Sequence, residues 1–324
     1  MQGVVALTDL VETEIAKLDF SKEPKDLYDP ISYTLNNKGK RIRPVLTLLA
    51  CNMFSENIEK AVKPAIGLEV FHNFTLLHDD IMDNAPVRRG KTTVHMKWNV
   101  NTAILSGDTM MVEAYKLVAE APDFCLRKVL ELFSELSIGV CEGQMYDMEF
   151  EDRAVVSVNE YLKMIELKTS VLIAGALKMG AIIGNANAND AENIYHFGIN
   201  LGLAFQLLDD WLDVYSDPKV FGKKTGGDIV ANKKTFMLIT ALEKAKGIKE
   251  QELNNWLEIN NFEEQDKIAA VRNIYNELSI GDITMKKAKE YSAKAFEYLN
   301  KIGVDEDKKL ALKKLGESLL NRIK

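Results

Sequence analysis

Apolar residues recur three and four positions apart along most of this chain, as at Leu162, Ile165, Val171, Leu172 and Ala174. That spacing gathers side chains on one face of an α-helix. No run of alternating β-branched residues bounded by hairpin turns interrupts it, so the pattern predicts an all-α fold. Asp9 with Glu12, Ser157 with Glu160 and Asn189 with Glu192 stand at capping-box spacing, and Asp29 precedes Pro30 as an N-cap precedes a first-turn proline. Only Pro218 lies beyond Pro122, so the later chain can run in long helices with few forced breaks. Interruptions of the pattern predict loops near residues 36–42, 84–93, 185–189 and 217–232. No Pro/Gly/Ser-rich linker divides the sequence, and residues 1–324 read as a single helical domain. The last seventy or so residues, rich in Lys, Glu and Asn, read as amphipathic helices forming a solvated outer layer without chemistry.

Composition narrows the function. A 47% hydrophobic chain of 324 residues has material for a sizeable core. Forty-eight acids against 41 Lys and Arg give a formal charge of −7, which argues against general affinity for nucleic acid or anionic membrane. Any anion it binds must therefore meet a local basic cluster. Cys51, Cys125 and Cys141 are odd in number and lack CxxC spacing, so neither a disulfide framework nor a zinc site is expected, and a reducing cytoplasm fits. The opening residues carry acids by Asp9 and no basic start, unlike a secretory or transit peptide. The most apolar stretch, Val171 to Gly184, contains Lys178 and falls short of the roughly 20 residues that cross a bilayer.

The candidate chemistry lies in two acidic motifs, LLHDDIMD at residues 76–83 and LLDDWLD at residues 207–213, both containing DDxxD. On a helix, Asp79 and Asp83 share a face one turn apart with Asp80 beside them, and Asp209, Asp213 and Asp210 repeat the arrangement. Like charges at that spacing repel, and the preceding leucines would bury them, so something cationic should neutralise each triplet. Lys and Arg are absent within both motifs, which points to a hard divalent cation. Mg²⁺ suits them because it takes one or two carboxylates and completes its shell with water and phosphate oxygens. One DDxxD can be a solvated helix face; two make coincidence far rarer. His78, just before the first motif, reads as a packing or supporting group.

Basic clusters accompany the acids. GKRIRP at residues 39–44 offers a close-turning glycine, charge-assisted donors and a helix-starting proline. Arg88, Arg89 and Lys91 follow the first acidic motif, and FGKKTGGDIVANKKTF at residues 221–236 follows the second. Acid for metal followed by base for phosphate, twice, describes a cavity that binds diphosphates.

GKRIRP, DDIMD, RRGK, KTS, FQLLDDWLD and FGKKTGGD, in this order over about residues 35–240, resemble the isoprenyl diphosphate (trans-polyprenyl) synthases. The resemblance implies a bundle of long helices around a deep central cavity, commonly in a homodimer, with the two aspartate motifs facing each other near the mouth. It implies condensation of isopentenyl diphosphate with an allylic diphosphate. By motif matching, Asp79, Asp83 and Asp209 would ligate three Mg²⁺ ions, with Asp80, Asp210 and Asp213 in support. Arg88, Lys168, Lys223 and Lys233 would contact the allylic diphosphate. Lys40, Arg43, His72 and Arg89 match the positions that grip isopentenyl diphosphate, and Thr169 and Gln206 those facing the developing cation. Gln144, Asp147 and Asp108 match further supporting positions.

These residue types fit the reaction, because clustered cations stabilise charge building on a departing diphosphate more than they stabilise the bound substrate. In the family, side chains one turn before the first motif form the floor that sets product length. Here Phe74 lies five residues before Asp79 and Thr75 four before it. A single aromatic there resembles short-chain geranylgeranyl diphosphate synthases, giving a C20 product, with C15 or a C15/C20 mixture next. A class I terpene cyclase would ordinarily lack GKRIRP and the second DDxxD. A noncatalytic subunit of a heteromeric synthase would ordinarily have lost one motif.

Overall fold

The computed structural model describes residues 3–37, 39–216, 225–259 and 261–321. Its helices are α1 (Val4–Ala16), α2 (Lys25–Leu35), α3 (Ile42–Phe54), α4 (Glu59–Met82), α5 (Val94–Lys97), α6 (Val100–Val118), α7 (Leu126–Asp152), α8 (Val158–Ile165), α9 (Val171–Ile183), α10 (Ala188–Tyr215), α11 (Gly227–Val230), α12 (Phe236–Lys244), α13 (Ile248–Glu258), α14 (Glu264–Glu277), α15 (Ile280–Asn300) and α16 (Glu306–Leu320). A π-helical turn, Glu166–Ser170, joins α8 to α9. The fold is all-α. Among the described residues the one sheet is a hairpin of two-residue strands, β1 (Val87–Arg88) and β2 (Lys91–Thr92), pairing Val87 with Thr92 and Arg88 with Lys91. The sequence pattern predicts only a loop there. Both turn residues, Arg89 at φ 52° and Gly90 at φ 76°, are left-handed, the requirement of the tight turns that match strand twist.

The chain forms two compact units. The first comprises Met1–Glu135, Gly175–Ile194 and Ile302–Leu312. Its axis is α4, buried almost continuously from Ala61 to Phe71 and packed against α3 and α6. Because α4 is covered on several sides, its apolar residues run nearly unbroken rather than as one stripe. The second unit comprises Leu136–Ala174, Tyr195–Lys301 and Lys313–Lys324. One of its clusters gathers Tyr161, Met164, Ile165, Leu203, Leu207 and Leu208 with Phe236 and Ile239. Another gathers Val214, Ile229, Met237 and Leu238 with Ile268, Val271 and Ile274. The C-terminal helices are thus solvated on one face only, and α14 buries the other.

The predicted helix starts fare unevenly. Ser157 and Glu160 form the reciprocal capping box that opens α8. Asp9 and Asp29 do not cap; they lie inside α1 and α2, which begin earlier, and Pro30 is interior to α2. At the start of α10 the cap is Asn187, whose Oδ1 accepts from the Asp190 N–H at 2.9 Å, rather than Asn189. The predicted loop at 217–232 holds α11, and its residues 217–224 lie outside those described.

Candidate functional site

Each unit carries one acidic motif and its own set of cations. In the first unit, α4 carries Asp79 and Asp80 in its last turn, and Asp83 is its C-cap, with its N–H donated to the Asp79 carbonyl at 2.9 Å. Beside the divalent cation the sequence points to, Arg88 of the β1–β2 hairpin already neutralises this triplet in part. Its Nε donates to Asp80 Oδ1 at 2.5 Å and its Nη2 to Asp79 Oδ2 at 3.4 Å. Burial nevertheless pushes the Asp80 carboxyl up, against the pull of Arg88, and the neighbouring Asp79 charge adds to the rise.

Arg43 and His72 meet on the same unit, where Arg43 Nη1 lies 3.0 Å from His72 Nε2. Burial and the surrounding arginines hold the imidazole well below its usual pKa, so the ring is neutral. Arginine can only donate, so Nε2 accepts and Nδ1 carries the proton. Burial also lowers the Arg43 guanidinium to about 10, which leaves it charged at neutral pH. The Arg89 guanidinium lies so close to Gly39 that a Cβ there would meet Nη1 at 2.7 Å. Lys40 is exposed. His78 points away from the carboxylates: its Nε2 lies 3.2 Å from the Ile104 carbonyl and 4.0 Å from Asp108 Oδ1. The Phe74 ring packs edge-on against His78 at 4.7 Å and tilted against Phe71 at 5.6 Å. Gly107 makes room for that imidazole, since any Cβ there would stand 2.2 Å from Nε2.

In the second unit, Lys168, Thr169, Gln206, Asp209 and Lys233 line one cavity of about 260 Å³, together with Asp147, Asp210 and Asp213. The π-turn at 166–170 is a wide turn of the kind that often marks a functional site, and it carries Lys168 and Thr169. Gly143 lets α7 approach it closely, because a Cβ there would stand 2.3 Å from the Lys168 backbone nitrogen. One turn on, Asp147 accepts from Lys168 Nζ at 2.6 Å, with Lys233 Nζ at 3.7 Å. Burial opposes ionisation of Asp147, but the two lysines hold its carboxyl below the usual range. Thr169 Oγ1 bonds Gln206 Oε1 at 3.3 Å, and Gln206 Nε2 donates to Asp210 Oδ1 at 3.1 Å.

Two titratable residues of this cavity, Tyr161 and Asp228, have no role assigned from the sequence. Tyr161 is buried and donates its hydroxyl to Asp210. Asp228, within GGD, lines the cavity too. Asp213 has a local task, because its Oδ2 accepts the Asp228 N–H at 3.0 Å and so holds the start of α11. Lys223 lies outside the described residues, and Gln144 is not among the residues lining this cavity.

Burial dominates the titration of two acids at the second motif. Burial pushes Asp210 up to about 6, and burial with the Asp210 and Asp213 charges pushes Asp228 up to about 7. Unfolded carboxyls titrate near 4, so folding takes up protons at these groups. Their stabilisation is complete below that pH and is lost as pH rises through about 6 to 7. The melting temperature of the protein in a divalent chelator should therefore fall between about pH 5 and pH 8, and Asp228→Asn should flatten the fall. Thermal melts across that range check this, and a flat wild-type profile would count against it.

These carboxylates fit a hard divalent cation. Among the described residues no three His, Cys, Asp or Glu groups converge as a ready-made metal cage. Mg²⁺ needs none when one or two carboxylates are supplemented by water and phosphate oxygens. Among the described residues no helix is long and apolar enough to cross a membrane.

Comparison with known proteins agrees with this chemistry. The family model for polyprenyl synthetase matches residues 24–277. The chain is 35% identical to the geranylgeranyl diphosphate synthase of Sulfolobus acidocaldarius over 96% of this chain and 95% of that one. It is 34% identical to the geranylfarnesyl diphosphate synthase of Aeropyrum pernix over 95% and 98%. Among solved structures, a geranylgeranyl pyrophosphate synthase matches the whole of both chains with a TM-score of 0.94 and 42% identity.

Proposed function

Because this chain belongs to the polyprenyl synthetase family, we propose that it is a prenyltransferase joining isopentenyl diphosphate head to tail with an allylic diphosphate, and that elongation stops at geranylgeranyl diphosphate. One observation carries the reading most: Lys168, Thr169, Gln206, Asp209 and Lys233, matched to the family by motif alone, line a single cavity. In this reading residues 1–324 work as one catalytic domain, and both acidic motifs serve the same allylic substrate.

Asp79, Asp83 and Asp209 would hold Mg²⁺, three ions in the family's pattern, with Asp80 and Asp210 supporting them. Bound there, the metal supplies positive charge to the leaving diphosphate. The chain's own cations, Arg88, Lys168 and Lys233, orient the same diphosphate and stabilise the charge it gains as the C–O bond breaks. The Thr169 and Gln206 oxygens offer dipoles to the allylic cation left behind. Lys40, Arg43 and Arg89 hold isopentenyl diphosphate, and neutral His72 adds a donor at Nδ1 without repelling the arginines. The double bond then attacks the cation, and the released diphosphate takes up the departing proton.

Phe74 supports the product length. Its ring packs against those of Phe71 and His78, contacts that suit a floor at this position. A product one isoprene unit longer is the second reading, favoured by the likeness to a geranylfarnesyl diphosphate synthase. A cytoplasmic homodimer completes the proposal, on family precedent. EDTA is expected to abolish incorporation of labelled isopentenyl diphosphate into prenyl products, and Mg²⁺ to restore it. Full incorporation in the chelator would exclude the metal assignment.

A further inference from the structure

The GKRIRP turn contains three cations, and only Lys40 and Arg43 match substrate-gripping positions. Arg41 faces the other way. It is 3% exposed, and its backbone sits in the left-handed region at φ 46°, immediately before α3. A non-glycine residue keeps that conformation only where its surroundings fix it.

The surroundings are a buried fork. Arg41 Nη1 donates to Glu69 Oε1 at 2.9 Å, Nε to Glu12 Oε1 at 2.9 Å, and Nη2 to the Leu35 carbonyl at 2.7 Å. Leu35 is the last residue of α2, so that contact satisfies a carbonyl the helix leaves unpaired. One guanidinium thereby ties the ends of the 36–41 loop to α1 and α4. Glu69 is 2% exposed and also accepts from Asn73 Nδ2 at 3.2 Å.

Glu69, His72 and Asn73 are spaced three and four apart on α4 and share its face. Arg41 docks on Glu69 and Arg43 on His72, so two anchors two residues apart register the turn against α4. Glu69 also serves as a nearby counter-charge to Arg43 and Arg89, favouring their charged forms against the burial that lowers both. Pairing with Arg41 keeps that negative charge from standing uncompensated beside an incoming diphosphate.

We propose that Arg41 is the positioning residue of the isopentenyl diphosphate grip, acting through Glu12 and Glu69 to fix the turn that presents Lys40 and Arg43. The proposal rests on the substrate reading above. A lysine in its place keeps the charge but cannot bond both carboxylates and a carbonyl from one planar group.

The test measures binding of isopentenyl diphosphate by calorimetry, and KM for it and for an allylic diphosphate, in Arg41→Lys and Glu12→Gln. In Arg41→Lys the KM for isopentenyl diphosphate should rise about tenfold, while the allylic KM and kcat stay within about twofold. In Glu12→Gln the buried Arg41 keeps Glu69 as its counter-charge, and this variant should give the same selective pattern at about two- to fivefold. Circular dichroism and melting curves confirm folding, and if Arg41→Lys fails to fold, Glu12→Gln decides. Equal rises in both KM values, or an unchanged KM for isopentenyl diphosphate in folded variants, would overturn the proposal. Absence of isopentenyl diphosphate binding by the wild-type chain would instead remove the substrate reading itself.

Discussion

Asp79→Ala and Asp209→Ala are each expected to lower kcat by about a thousandfold or more, because each removes a carboxylate assigned to the cation that stabilises the leaving diphosphate. The fold should survive both changes. The Asp79 side chain is 19% exposed and its visible partner, Arg88 Nη2, stands at 3.4 Å, whereas Arg88 keeps its shorter contact to Asp80. The Asp209 charge raises the carboxyls of Asp210 and Asp228, so its removal relieves repulsion inside the cavity. Without divalent cations, Asp209→Ala should therefore melt at or above the wild-type temperature while turning over far more slowly. That divergence separates a functional carboxylate from a structural one. Near-normal turnover, or a loss of activity that merely tracks a fallen melting temperature, would refute the assignment.

Phe74→Ala is expected to move the main product beyond C20. The half-buried ring leans on Phe71 and His78, and Phe71 in turn packs edge-on against Phe133 at 5.3 Å, so a line of aromatics stands behind it. Truncation opens space that those neighbours cannot refill, since packed interiors relax only partly into a void. Chromatographic sizing of the prenyl alcohols after dephosphorylation reads the change. Unchanged product length in a folded variant would show that the floor lies elsewhere.

The all-α class was legible because helical periodicity persists over long spans, and the candidate site because its residue types are locally unusual: two acidic triplets, each trailed by cations. Geometry set by distant parts of the chain was not legible. Arg41 looks like its neighbours Lys40 and Arg43 in the sequence, and only the partners it finds on α1 and α4 turn it inward. Tyr161 gains its place in the site only because α10 brings Asp210 against its hydroxyl. Arg88 stands outside the acidic motif, so an inventory confined to the triplet misses its neutralising contact, which depends on a hairpin turn at Arg89 and Gly90. Asp9 and Asp29 show the reverse error: capping spacing is a local signal, and helices that begin earlier override it.

The central claim is that this chain uses its acidic and basic clusters to elongate an allylic diphosphate. Purified protein, Mg²⁺, labelled isopentenyl diphosphate and farnesyl diphosphate, followed by product sizing, test it most directly. The account predicts one added isoprene unit and accumulation of the C20 diphosphate. No labelled product with this or any shorter allylic primer, or a cyclised hydrocarbon formed without isopentenyl diphosphate, would contradict it.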